Sequence, residues 1–555
     1  MKSINTFLML AVVLLFISPS LSFAEAEVKG NIINQTRVKN SVNMALGKES
    51  KANLGSVKVK NSKVKGMILN TTEGKNKINM AIGNDSKANL NSVDIENSEM
   101  DGVIVNTLKG KTLINAAIGE GSKANLGSVN MEGSKVKNGL IINMPNGKTG
   151  LNMAIGKGAK ANQGSTNMEG SELKNGMIIN MPGGKTNLNM ALGKDAKANQ
   201  GSTNMEGSKI ENGMSISMPG GKTGLNMALG NGAKANQGST NMEGSELKNG
   251  MIINMPGGKT SLNMALGKDA KANLGSTNME GGSEIKNGMT VNMPVGQTGL
   301  NMALGKGAKA NLGSTNMEGG SEIKNGMAIN MPMSQTSTNI ALGKGSKANL
   351  GSTNMEGGSE IKNGIAINIP MGQAVTNIAL GKDAKANLGS TNMERGSKLS
   401  RAVINLPAGQ AITNVSLGRN AKANLGSTNM ENSKMKGNVV NVAAGVATTN
   451  VALGRNAKAN LGAVNMENSK MKGNVVNVAA GVATTNVALG RNAKANLAAV
   501  NMENSKMKGN VVNVAAGVAT TNVALGSNSK ANLAAVNLEN SRMNGNVVNI
   551  AGAWT

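Results

Sequence analysis

The chain has 555 residues and a formal net charge of +27, with no Cys, no His and no Tyr. An exported protein of this composition is not held by disulfides, and it lacks the side chains most used for acid–base and nucleophilic catalysis. All three Phe residues lie before Ala24 and the single Trp is Trp554, so a core must be filled by Ala, Val, Ile, Leu and Met, which suits a thin core repeated many times.

In chain order, the first element is a processing signal. Lys2 precedes a continuous apolar run from Phe7 to Ile17, and Ser22-Phe23-Ala24 has the small–x–small form of a cleavage site. This predicts a signal peptide over 1–24 and cleavage after Ala24. The run is too short to span a bilayer comfortably, and no later segment is long or apolar enough to do so. The mature chain is therefore expected to be secreted, extracellular or at the outer cell surface, without a transmembrane segment. Its positive excess favours anionic partners such as polysaccharide, lipopolysaccharide or extracellular DNA. Solubility is the simpler alternative.

The rest of the chain is repetition. The tripeptide Lys-Ala-Asn recurs at Lys51, Lys87, Lys123, Lys160, Lys197, Lys234, Lys271, Lys309, Lys347, Lys385, Lys422, Lys458, Lys494 and Lys530, in steps of 36–38 residues. Gly, Asn, Thr and Val are too frequent for stable helices, and no stretch sustains a 3.6-residue apolar period. Alternation fits instead. In the unit from Thr449 to Thr484, three segments place Asn between residues of the opposite strand face: Thr449-Asn450-Val451, Val464-Asn465-Met466 and Val476-Asn477-Val478. Gly454, Asn468-Ser469, Gly473 and Gly481 punctuate them as turn residues do.

The expected fold is all-β: a single-chain parallel β-solenoid of about fourteen stacked coils over 25–555, with three strands per repeat and a half-repeat at each end. Two shorter coils per repeat are the alternative. Stacking at about 4.8 Å gives a rod of roughly 70 Å, or twice that with two coils per repeat. Copies of 38 residues carry one extra Gly, as in Glu318-Gly319-Gly320-Ser321, which belongs in a turn and leaves the strands in register. Pro182 should end its strand. Trp554 is a candidate cap for the last coil.

One coil per repeat places the fourteen Lys residues in a column. Two such charges about 5 Å apart in water repel by roughly 0.8 kcal/mol. The column should therefore bind a polyanion or be neutralised by a neighbouring Glu column, including Glu169, Glu206, Glu243, Glu280, Glu431, Glu467 and Glu503. Asn450, Asn465 and Asn477 are expected to form stacked amide ladders. A flat face for ice or carbohydrate is the alternative use. Met44, Met153 and Met264 occupy the slot of Val451 and Val487 and are expected in the core. Gly183-Gly184-Lys185-Thr186 resembles the end of a phosphate-binding loop, but Ile179 stands where that motif needs Gly. No metal site, cofactor or catalytic cluster is expected, because almost every charged position recurs by translation.

Ala81-Ile82-Gly83-Asn84-Asp85-Ser86-Lys87-Ala88 and Ala303-Leu304-Gly305-Lys306-Gly307-Ala308-Lys309-Ala310 resemble the head repeat of trimeric autotransporter adhesins. The match recurs once in every repeat. It implies a parallel β-roll and an adhesive surface role. The Asn-rich repetition is also loosely similar to curlin-type surface amyloids. The expected function is thus a secreted structural or adhesive protein of the cell surface or biofilm matrix. A self-assembling fibre subunit is the alternative.

Overall fold

The computed structural model describes residues 21–553 apart from 25–26, 30–31, 38, 176, 182, 184–185, 213, 219–222, 250, 258–259, 267, 288, 326, 373, 410, 445–446, 454, 490, 526 and 529. Most of the expected signal peptide, Pro182 and Trp554 lie outside the described residues. Leu21–Ala24, at the end of that signal segment, forms a strand on Val57–Lys60.

Each strand pairs in parallel with its equivalent in the next repeat. Lys422 opposes Lys458, Asn424 opposes Asn460 and Glu431 opposes Glu467. Each repeat is therefore one coil of a β-solenoid, and the two-coil alternative is excluded. Among the described residues there is no helix. The coil has more strands than the three expected. One unit contains a lysine strand, Lys458–Leu461, a glutamate strand, Val464–Glu467, a bridging strand, Lys470–Lys472, and a long strand, Val475–Leu489. The lysine strands stack into a 14-stranded sheet, and the glutamate strands and their equivalents, with Leu21–Ala24 at one end, into a 15-stranded one. The Lys-Ala-Asn motif is itself a strand because Ala459 and Leu461 alternate inward with Lys458 and Asn460 outward.

The core has two parts. Val464, Met466, Met471 and Val475 pack between the glutamate strand and the wall opposite it. Each such side chain contributes about 1.5–3 kcal/mol on burial. Ala452, Ala457 and Ala459 fill a thinner lobe behind the lysine strand. A coil cannot bury this face alone. Met502 is 2% exposed, while its partner Leu538 in the last described coil is 48% exposed. The same contrast separates Val511 from Val547, so burial comes from neighbours.

Which strand face lies inward corrects one expectation. Asn450 and Asn477 are fully buried, whereas Val451, Val476 and Val478 are only half-buried. Met44, Met153 and Met264 share that outward slot and are not core residues. The core methionines include those preceding the Glu column, such as Met168 and Met205, and those of the bridging strand, such as Met471 and Met507. The inward amides are affordable because they are satisfied. Asn450 Nδ2 donates to Asn486 Oδ1 at 2.9 Å, to Ala459 O at 3.0 Å and to Asn496 O at 3.1 Å. Asn477 continues its own ladder to Asn513 at 2.9 Å.

The long strand breaks where proline was expected to break it: Met177–Asn180 ends before Pro182. The equivalent Pro145 nevertheless lies within Lys135–Ile155, where its carbonyl accepts from Gly183 N at 2.9 Å. A proline that needs only to accept is compatible with a ladder.

Candidate functional site

The lysine and glutamate strands meet at a sharp bend. Gly462, at φ 56°, and Ala463 join them, and this left-handed conformation suits glycine. The bend turns the outward faces of the two strands toward each other. Lys458 and Asn460 on one wall face Asn465 and Glu467 on the other, and stacking extends this into a groove along the rod.

Asn columns form the floor. Asn460 Nδ2 donates to Asn424 Oδ1 at 2.9 Å, and Asn465 Nδ2 to Asn429 Oδ1 at 3.0 Å. The expected ladder at Asn465 is therefore present, and a second one at Asn460 was missed. Its signal was the Lys-Ala-Asn tripeptide itself, once that segment is read as a strand. From Asn273 onward the ladders are cross-linked. Asn273 reaches Asn241 at 3.4 Å, Asn387 reaches Asn354 at 3.1 Å and Asn496 reaches Asn465 at 2.9 Å. Asn162, Asn199 and Asn236 make no such rung to Asn130, Asn167 and Asn204.

The rim follows the same division. Lys271, Lys309, Lys385, Lys422, Lys458 and Lys494 pair with Glu280, Glu318, Glu394, Glu431, Glu467 and Glu503 at 2.6, 2.5, 2.5, 2.8, 3.0 and 3.4 Å. Lys347 pairs with Glu356 in the same way. At Lys530–Glu539 and Lys234–Glu243 the separation widens to 3.9 Å. Among the described residues, Lys51, Lys87, Lys123, Lys160 and Lys197 form no ion pair. The expected partners Glu169 and Glu206 point to solvent. Thus neutralisation holds for one part of the column and leaves the other part unpaired.

Tight pairing begins with the first inserted glycine. In Glu280-Gly281-Gly282-Ser283 the two glycines adopt φ 61° and 74°, and in the next coils the Glu leaves its strand, which shortens to Thr315–Met317. Glu318 N then donates to Met279 O at 2.9 Å. The register is kept, as expected, but the carboxylate is freed to lean across the groove. Burial alone would raise the Glu318 carboxyl; the Lys309 and Lys271 ammonium groups outweigh it and hold it below its ordinary value. Burial would lower Lys309, and Glu318 and Glu356 raise it above its ordinary value instead. Such half-buried pairs owe their charge to each other.

The groove from Lys51 to Glu280 encloses about 400 Å³. Its continuation from Asn392 to Glu539 encloses about 150 Å³. Outside the bridges in that region lies a shallow trough of about 850 Å³ bordered by Asn456, Lys458 and Glu467. Among the described residues no cluster of His, Cys, Asp or Glu could hold a metal ion. No family model, no curated protein and no solved structure matches the chain.

Proposed function

We propose that the protein is an exported, non-catalytic rod with a structural or adhesive role at the cell surface or in a biofilm matrix. One observation carries this reading: among the described residues the groove's Lys, Asn and Glu side chains recur by translation from coil to coil from Lys123 and Asn130 onward, with Lys58 and Asp94 departing from the Asn column in the first coils. A surface of that kind suits extended contact with a polymer or matrix rather than turnover of a small substrate. The apolar run Phe7–Ile17 and the Ser22-Phe23-Ala24 site support export. The resemblance of Ala81–Ala88 to adhesin heads supports surface attachment.

Cell fractionation with N-terminal sequencing tests export: the extracellular fraction should hold chains beginning at Glu25, and an intact Met1 chain confined to the cytoplasm would overturn it. Electron microscopy of purified protein tests the architecture, with rods roughly 70 Å long expected. A second reading, growth into fibres, is favoured by the in-register stacking of identical amides, as in Asn450 to Asn486 and Asn486 to Asn522. Unpaired strand edges template further pairing. Monodisperse short rods at all concentrations would remove it.

A further inference from the structure

Within the reading of the protein as an extracellular rod, the groove divides into two stretches. From Lys51 to Lys197 the column lysines form no ion pair, and Glu132, Glu169 and Glu206, which border the groove, are exposed. From Lys271 to Lys458 the rim is closed by its own ion pairs. The exposure of the Glu side chain falls from 55% at Glu243 to 29% at Glu280 and 17% at Glu356. The floor changes at the same place. Each Asn amide has two N–H donors and a carbonyl with two lone pairs. In the closed stretch the second donor is spent on the cross-rung; at Asn162 and Asn199 it is not.

We propose that the open stretch, from Lys51 to Lys197, binds a linear anionic polysaccharide bearing carboxylate or sulfate groups, and that the closed stretch does not. In the open stretch each coil presents one ammonium at the strand spacing of about 4.8 Å; the coils of Lys160 and Lys197 add unspent amide donors at Asn162 and Asn199, while the coil of Lys87 carries Asp94, which accepts from Asn130 at 2.6 Å. An extended glycan advances by about one sugar per strand spacing. Its acidic groups can meet successive lysines while its hydroxyls meet the Asn floor. Lysine serves such groups as a point charge on a flexible stem, which tolerates irregular charge placement along a polymer. Single-stranded nucleic acid fits the groove less well. Its binding without sequence preference relies on aromatic platforms for the bases, and residues 25–553 contain no Phe, Tyr or Trp. The closed stretch is occupied by its own carboxylates, so a polyanion there must first displace them.

The test uses the purified full chain, so it reads ligand binding independently of export. The probes are oligogalacturonate, heparin oligosaccharide, neutral dextran and oligo-dT, followed by titration calorimetry over a series of salt concentrations. One variant carries Lys87→Gln, Lys123→Gln, Lys160→Gln and Lys197→Gln. A second replaces both members of three closed pairs by Gln: Lys309 with Glu318, Lys347 with Glu356, and Lys385 with Glu394. Far-UV circular dichroism confirms that both remain folded. The expected result is at least a tenfold loss of acidic glycan affinity and a shallower salt dependence in the first variant, with less than a twofold change in the second. Dextran should not bind. Equal losses in both variants, an unchanged first variant, or tighter binding of oligo-dT than of either glycan would overturn the proposal. Loss of export in cells with these affinities intact would instead overturn the extracellular reading alone.

Discussion

Lys271 Nζ lies 2.6 Å from Glu280 Oε1 across the groove, whereas one coil earlier Lys234 and Glu243 are 3.9 Å apart. The two pairs have the same spacing of nine residues and nearly the same flanking residues. The glycine inserted after Glu280 marks where tight pairing begins, although Glu280 stays in its strand; Glu431 and Glu467, also within their strands and with no inserted glycine, pair at 2.8 and 3.0 Å. The added residue leaves the register of the sheets undisturbed.

These carboxylates should make the rod acid-sensitive in its closed stretch. Glu280, Glu318, Glu394 and Glu467 are all held below their ordinary value of 4.5, with burial opposing and the neighbouring lysines prevailing. A depressed carboxyl adds stability that is complete above its unfolded value and is lost as pH falls through its folded one. Hydrogen exchange between pH 5 and pH 2 should show coils around Glu318 losing protection before coils around Glu169. Replacing the four Glu residues by Gln should remove that difference.

Among the described residues Lys77 is the largest fully buried side chain, set between Ser41 and Leu113 in neighbouring coils. Its Nζ donates to Glu73 O at 3.1 Å, and burial lowers its pKa from 10.5 to about 8. Between those values the unfolded chain keeps a proton that the folded chain has released, so stability should rise with pH across that window. Lys77→Leu, matching Leu113, should stabilise the first coils by about 1–3 kcal/mol near pH 7 and abolish the rise. Denaturant melts at pH 7 and pH 10 measure both effects.

The inward Asn ladder should be costly to interrupt. Asn226 Nδ2 donates to Asn263 Oδ1, Ala235 O and Asn273 O at 2.8, 2.9 and 2.9 Å, and its own Oδ1 accepts from Asn189 at 2.8 Å. Asn226→Ala strands these partners in a dry interior and should cost about 2–5 kcal/mol. Asn226→Asp should be worse, because a carboxylate cannot donate to the two carbonyls. Asn204→Ala, in the partly exposed groove floor, should cost less than about 1.5 kcal/mol. Comparable losses at both positions would contradict the assignment of inner and outer ladders.

Gly230 closes the Ala228-Leu229-Gly230 motif at φ +120°, and a Cβ there would sit 2.6 Å from Gly193 O in the coil before it. Relief would require moving backbone in two coils. Gly230→Ala should therefore destabilise the rod by about 3 kcal/mol or more and open a protease-sensitive site near residue 230. Stability within about 1 kcal/mol of the parent would show that the coils are not stacked this closely.

Much of the architecture was legible because the period is explicit. Once Lys458 and Lys494 are equivalent, stacking must place identical residues side by side, and this yields the coil length, the parallel register and the ladders at Asn450, Asn465 and Asn477. The orientation of Thr449-Asn450-Val451 was not legible. Transfer energies favour burying Val, yet the rod buries Asn450 and Ala452, because stacked amides satisfy one another and small side chains let two sheets approach. The lysine strand was also hidden, since Lys-Ala-Asn-Leu carries only two inward residues.

The sequence by itself determined what repeats: an all-β rod with columns of Lys, Glu and Asn, because each copy can be completed only by its neighbours. Only the tertiary structure decided which columns meet. The bend at Gly462 brings Lys458 and Glu467 across from each other, and the separation of such pairs differs from coil to coil, 3.0 Å here and 3.9 Å at Lys234–Glu243. That meeting depends on backbone direction at a turn, which residue identity nine positions apart does not encode.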